Sequence, residues 1–251
     1  MKILAIDTSG QQAGAAIVDE YITIGEIMIN AQSGPKTWHH SEILMPAIER
    51  MFALSGFRLH DMDYVAYTAG PGSFTGLRIG AATALGLARA IGKPAIAVPT
   101  LDSLAYNVLC MIPGTPHGQP ATKESSWLIV PLMDARRGQV YAAIYRTGQA
   151  GELTRLTDYF AATIEDALER VGELPAIFLG DGADANKAAI MACRPSAVFA
   201  PANSNRQRPA SVGLSAMRQL DQGQHSHTPE LIYIRDPQAV RSNPKPALQK
   251  P

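Results

Sequence analysis

A short apolar run, Tyr64–Tyr67, leads into Gly70-Pro71-Gly72-Ser73-Phe74-Thr75-Gly76-Leu77-Arg78-Ile79-Gly80, which opens onto the alanine-rich stretch Ala81–Ala90. The order reads as strand, glycine-rich turn, helix N-terminus. Such a junction presents unpaired backbone N–H groups and the positive end of a helix dipole to whatever lies in front of it, often a phosphate or carboxylate. Three common motifs of this kind nonetheless fail. The spacing of Gly70, Gly72 and Gly76 is one residue too long for a dinucleotide fingerprint, and no Lys-Ser/Thr pair completes a P-loop. Ser73 lacks the flanking glycines of a hydrolase nucleophile elbow.

At 251 residues the chain is long enough for one large domain or two small ones. Apolar residues make up 46% and charged residues 18%, the balance of an ordinary globular protein rather than a disordered one. Twenty-two basic residues offset 22 acidic ones, so net charge gives no footprint for holding nucleic acid unaided. Cys110 and Cys193 lie far apart in apolar surroundings and read as buried, reduced thiols. Asp7 interrupts the first apolar run where a signal peptide would need its core, and no stretch is long and apolar enough to span a bilayer. A cytoplasmic location is expected.

Lys2–Ile6 is a continuous apolar run, as in a strand buried on both faces, and ends in the polar turn Asp7-Thr8-Ser9-Gly10. Ala13–Val18 and Tyr21–Ile29, split only by Asp19 and Glu20, predict an antiparallel meander. A helix over Trp38–Leu54, a strand at Tyr64–Tyr67, the helix after the glycine loop and a strand at Ala95–Val98 follow. Three antiparallel strands, then helix, strand, helix, strand is the order of a ribonuclease-H-like unit. The actin, sugar kinase and Hsp70 group is built on that α/β unit.

Beyond Pro99 the pattern predicts a helix at Leu101–Leu109 and a Pro/Gly-rich loop at Pro113–Pro120. Strands at Trp127–Met133 and Gln139–Tyr145 flank Asp134–Gly138. A helix at Ile164–Val171, a strand at Ala176–Leu179, the turn Gly180-Asp181-Gly182 and a helix at Ser211–Leu220 complete a second, diverged lobe. The expected division is residues 1–100 for the first lobe, 101–234 for the second with its last helix packing back on the first, and a proline-rich extended tail at 235–251.

Two helices carry more apolar or small surface than one sheet requires. With Ile43 as origin, Leu54, Ala47, Met51, Leu44, Ile48, Phe52 and Met45 cover roughly 200°, against about 100° for a helix that only caps a sheet. Either the helix is wedged deep in its own lobe or it packs on another chain. In the next helix Gly76, Gly80, Ala84 and Ala88 recur every four residues, a row that lets a neighbour approach closely.

Ile3–Ser9, His40–Pro46, Gly70–Gly80, Asp134–Arg136 with Val140-Tyr141, and Tyr233–Ala239 together resemble the TsaB (YeaZ) family, in order over nearly the whole chain. That resemblance implies two ribonuclease-H-like lobes of the actin/Hsp70/sugar-kinase type. It also implies a part in forming threonylcarbamoyladenosine in tRNA, as a non-catalytic scaffold that activates a homologous TsaD-type transferase. A TsaE-type ATPase would join through the complex, tRNA would be met only there, and the chain alone would form a homodimer. Family members pair through the two first-lobe helices, so Ile43, Leu44, Ala47, Ile48, Met51, Phe52, Gly76, Gly80 and Ala84 become the expected partner surface. Asp at position 48 or 51 should then weaken pairing.

Enzymatic alternatives can be weighed on side chains. A helix grips a metal ion with histidines four apart, on one face. TsaD-like proteins have such a pair, but four residues beyond His39 and His40 stand Ile43 and Leu44, and four before stand Pro35 and Lys36. A peptidase centre or other metal site is not expected. A nucleotide-dependent phosphotransferase or ATPase is the alternative. Asp7, Thr8 and Ser9 would stand near Mg²⁺ and phosphate, with Gly180 and Gly182 as the second phosphate turn. No cofactor is expected beyond residual ATP or ADP with Mg²⁺. Arg235, Arg241, Lys245 and Lys250 could steer RNA only weakly.

Overall fold

In the computed structural model, residues 1–20, 22–31, 37–109, 127–148, 153–223 and 230–235 are described. The loop expected at 113–120, Cys110, and tail residues 236–251 with Arg241, Lys245 and Lys250 lie outside them.

Strands β1 (Lys2–Asp7), β2 (Gln12–Asp19) and β3 (Thr23–Asn30) form the antiparallel meander. Helix α1 (His40–Ser55) and a 3-10 turn (Leu59–Asp61) lead to β4 (Tyr64–Gly70). After α2 (Phe74–Ala90), β5 (Ala95–Pro99) closes a sheet of order β3-β2-β1-β4-β5, with β1, β4 and β5 parallel. Alternation along β1 decides what each face covers. Leu4 and Ile6 meet α1 and α2 through Leu44, Ile48, Met51, Ala81 and Ala84. Ile3 and Ala5 point the other way, onto Val212 and Ala216 of a helix that arrives at the end of the chain.

Helix α3 (Thr100–Tyr106) links to β6 (Leu128–Asp134), β7 (Val140–Ala142), β8 (Tyr145–Thr147), β9 (Leu153–Arg155) and β10 (Phe160–Ala162). Then come α4 (Ile164–Val171), β11 (Ala176–Leu179), α5 (Asp181–Ala185), α6 (Lys187–Cys193), β12 (Val198–Phe199) and α7 (Pro209–Asp221). Among the described residues the second sheet runs β10-β7-β6-β11-β12, with β8 on β6 and β9 on β8. Position for position this is the order of the first sheet: a meander, then two parallel strands. The chain thus has two ribonuclease-H-like lobes, the α/β architecture of the actin, Hsp70 and sugar kinase group.

Helices α4 and α6 cover one face of the second sheet, while Leu101, Leu104 and Ala105 of α3 pack on the other. Helix α7 follows the second sheet in sequence but lies against β1 and β2 and touches α3. Glu26 of β3 holds its start, accepting from the Ala210 N–H at 3.0 Å and from the Arg208 guanidinium.

Three expectations need correction. The strand over Gln139–Tyr145 is broken at Ala143-Ile144, where the chain changes neighbours from β10 to β9. There Ile144 N–H donates to Thr157 Oγ1 at 3.1 Å and its carbonyl accepts from Leu156 at 2.7 Å. The helix begun at Thr100 ends at Tyr106 rather than Leu109. Cys193 is exposed, not buried, because α6 turns its last residues outward.

Candidate functional site at the glycine loop and the first two helices

The glycine loop is a seat for the β1–β2 turn. Ser73 N–H donates to the Ser9 carbonyl at 2.7 Å, Gly76 N–H to Ser73 Oγ at 3.2 Å, and Thr8 Oγ1 to the Gly76 carbonyl at 2.7 Å. A β-carbon on Gly76 would lie 2.0 Å from the Thr8 carbonyl oxygen, one on Gly72 2.5 Å from that of Ser9, and one on Gly80 2.3 Å from Thr8 Oγ1. The glycines of this row, Gly76 and Gly80, therefore bring α2 onto the end of its own β1, with His40 at the start of α1 also against Gly76.

Asp7, at the end of β1, is buried. Its Oδ1 accepts from Ser9 N–H at 2.8 Å, Ser9 Oγ at 2.7 Å and Thr68 Oγ1 at 3.4 Å, while Oδ2 is buried without a partner. Desolvation dominates these bonds and pushes its pKa from 3.8 up to about 6. The fold therefore favours the protonated acid. The associated stability is complete below pH 3.8 and is lost as pH rises through 6. Near pH 7.5 the ionised group costs about 3 kcal/mol. Asp7→Asn should then raise stability at pH 7.5 by about 1–3 kcal/mol and flatten the denaturant-melt profile between pH 4 and 6. Equal destabilisation at both pH values would contradict this account.

Gly180 and Gly182 sit elsewhere, against the end of β6. Their β-carbons would lie 2.1 and 2.9 Å from the Leu132 carbonyl oxygen. Gly180 N–H donates to Asn205 Oδ1 at 2.7 Å, and Asp181 Oδ1 accepts from Asp134 N–H at 3.0 Å. Among the described residues these bonds share no partner with those of Asp7, Thr8 and Ser9. The Gly180–Gly182 turn is packed against the β6 backbone of its own lobe.

His39 caps α1, its N–H donating to Glu42 Oε2 at 2.8 Å. His40 is half-buried between Gln11 and Gly76, and burial first, then the neighbouring His39, holds its pKa below the ordinary value. Leu44, one turn on, is buried in the core. Among the described residues no three His, Cys, Asp or Glu side chains lie together as metal ligands.

The expected partner surface is corrected most. Ile43, Leu44, Ala47, Ile48 and Met51 are at most 4% exposed, α1 lies on β2 and β3, and Phe52 packs at the core's edge. The wide apolar arc is explained by a helix sunk into its own lobe. Gly76, Gly80 and Ala84 are equally enclosed. What these neighbouring helices turn outward is a different set. On α1 it is Met45, Pro46, Glu49, Arg50, Ala53 and Leu54; on α2 it is Thr75, Arg78, Ala82, Gly86 and Arg89.

Residues 230–235 were missed as part of this region. Ile232 N–H donates to the Ala69 carbonyl at 2.7 Å, and the Tyr233 ring stands 5.5 Å from that of Phe74. Arg78 covers Phe74 at 3.9 Å, and Arg235 donates to the Ala135 carbonyl at 2.7 Å. The segment straps the glycine loop to the Asp134–Gly138 turn. That turn holds Arg136 and Arg137 at φ 64° and 57°, where a side chain costs roughly 1–2 kcal/mol per residue. The apolar run Leu231–Ile234 was the available signal.

Residues 36–241 match the family model described as TsaD: tRNA N6-adenosine threonylcarbamoyltransferase. A Bacillus subtilis protein named tRNA threonylcarbamoyladenosine biosynthesis protein TsaB is 28% identical, the match covering 95% of this chain and 97% of that one. The Escherichia coli protein of the same name is 33% identical over 60% of this chain and 58% of its own length. The solved structure of YeaZ from Pseudomonas aeruginosa superposes with a TM-score of 0.68 at 23% identity, covering 92% of this chain and 99% of the other.

Proposed function

Because this chain belongs to the TsaB (YeaZ) family, within the wider TsaD group, we propose that it is a non-catalytic scaffold that binds and activates a TsaD-type transferase. It takes part in forming threonylcarbamoyladenosine in tRNA. The observation that carries the non-catalytic reading is the occupied glycine loop: its Ser73 and Gly76 N–H groups are held by Ser9 and Ser73, and its glycines are filled by Thr8 and Ser9. A helix N-terminus so plugged has little left to offer a substrate phosphate. Asp7 points the same way through its bonds, since its Oδ1 is taken up by Ser9 and Thr68 of its own lobe.

Docking uses the outward face of α1 and α2. TsaD-type proteins share the family model, so a pseudo-twofold pairing of like helices is the natural geometry. A TsaE-type ATPase and tRNA join through that complex, and two copies of this chain pair by the same face when the partner is absent. No cofactor is required, and equilibrium titration with ATP, with and without Mg²⁺, checks this against the phosphotransferase reading.

Leu54 is 68% exposed and Met45 38% exposed. Leu54→Asp and Met45→Asp should leave the unfolding free energy within about 0.5 kcal/mol. Both should weaken co-purification with a TsaD-type protein, because a charge would be desolvated on docking. Undiminished capture by both variants would remove this face from the complex.

A further inference from the structure

The geometry points to a second site: a cavity of about 410 Å³ between α3, β8, β9 and α7 that binds a small polar molecule through a carboxylate or phosphate group. No residue of α1 or α2 lines it, so it stands independently of the scaffold reading.

Three elements each turn one face into the cavity. In the β8–β9 ladder Tyr145 is directly opposite Arg155, and Leu153 lies two residues along on the same side. On α3, Asp102 and Tyr106 are one turn apart. On α7, Ser215, Arg218, Gln219 and Gln222 follow the i, i+3, i+4, i+7 spacing that normally buries an apolar stripe. Here the face is polar and runs from buried Ser215, through half-buried Arg218 and Gln219, to exposed Gln222 at the C-cap, while Val212 and Ala216 serve the first sheet on another face.

The base of the cavity is a fixed charge cluster. Tyr145 and Tyr159 hydroxyls both donate to Asp102 Oδ1, at 2.5 and 2.8 Å. The Arg155 guanidinium lies 4.2 Å over the Tyr159 ring, which holds it at the rim. Arg218 stands on α7, close enough to lower the pKa of Tyr106 against the larger, raising effect of burial. Arg155 and Arg218 both line the cavity, together with Asp102. A structural role for the Asp102–Tyr145–Tyr159 cluster accounts for those three residues, but not for Arg218, Gln219 and Thr154, which line the cavity outside that cluster. Guanidinium forks suit the paired oxygens of a carboxylate or phosphate. Gln219, Gln222 and Thr154 supply neutral donors and acceptors for the rest of the ligand. The volume is at the small end of ligand pockets.

Calorimetric titration of the full chain with inorganic phosphate and, separately, succinate tests this. At least one probe should bind saturably with Kd at or below about 1 mM. Arg155→Gln and Arg218→Gln should each weaken that binding about tenfold or more, and the probe that binds identifies the group. Thermal melts establish that the variants fold. If either variant does not, phosphate- or succinate-soaked crystals of the unaltered chain decide by where the anion sits. Failure of both probes to saturate by about 20 mM overturns the proposal. So does tight binding indifferent to both variants, or an anion seated away from Arg155 and Arg218.

Discussion

Gly76→Ala should destabilise the protein by about 3 kcal/mol, lowering Tm by roughly 6–12 °C, whereas Gly86→Ala in the same helix should stabilise it by up to about 1 kcal/mol. Both substitutions add one methyl group to α2 and the same gain in helix propensity. They differ in what the methyl meets. At position 76 it would stand 2.0 Å from the Thr8 carbonyl oxygen and 3.0 Å from His40 Nδ1, while at position 86 nothing lies within 4 Å. The Thr8 carbonyl is backbone at the end of the central strand, so it cannot swing aside as a side-chain tip could. Relief requires α2 to lift from β1, which would break the bonds from Thr8 Oγ1 to Gly76 and from Ser73 to Ser9. Chemical denaturation of the two variants measures the contrast. Near-equal stabilities would mean that the loop is not held against the β1–β2 turn.

Ile48→Asp should be the most damaging change on α1, costing about 4 kcal/mol or more. Ile48 is 2% exposed and packs among Leu4, Ile6, Ile17 and Met51. A carboxylate there either remains ionised without a partner or takes up a proton at a cost that grows with pH. Its loss of partner binding would follow from unfolding, unlike that of Leu54→Asp on the outer face. Circular dichroism melts separate the two: Ile48→Asp should lose its cooperative transition near physiological temperature, and Leu54→Asp should keep it. A fully folded Ile48→Asp protein that fails only to pair would restore residue 48 to the interface.

Those two residues show what could be read from sequence and what could not. The continuous apolar run Lys2–Ile6, the near-adjacent strands after it and the strand–glycine–helix junction specify the first lobe, because each is a local signal with one structural solution. The same signals weaken in the second lobe. Its strands β7 to β10 are three residues long, too short for periodicity, and the break at Ala143-Ile144 depends on which neighbour each half finds. At the site, the composition of α1 was legible but its depth was not. An apolar arc gives the amount of surface to be covered, and only the meander behind it determines whether that cover is β2 and β3 or another molecule. Likewise, the glycine row announced a close approach without naming the approaching groups, which proved to be Thr8 and, at Gly76, also His40. The apolar run Leu231–Ile234 marked the strap, but its seat on Ala69 and Phe74, like the cavity face of α7, rests on long-range packing that no window of sequence displays.

The most direct measurement is threonylcarbamoyl transfer to tRNA adenosine, with threonylcarbamoyl-adenylate supplied, by this chain alone, by a TsaD-type protein alone, and by the two mixed with the TsaE-type ATPase. The scaffold account predicts no modification by this chain alone and a marked gain over the transferase alone in the mixture. That gain should be reduced by Leu54→Asp. Modification of tRNA by this chain unaided, or a mixture no faster than the transferase alone, would contradict it.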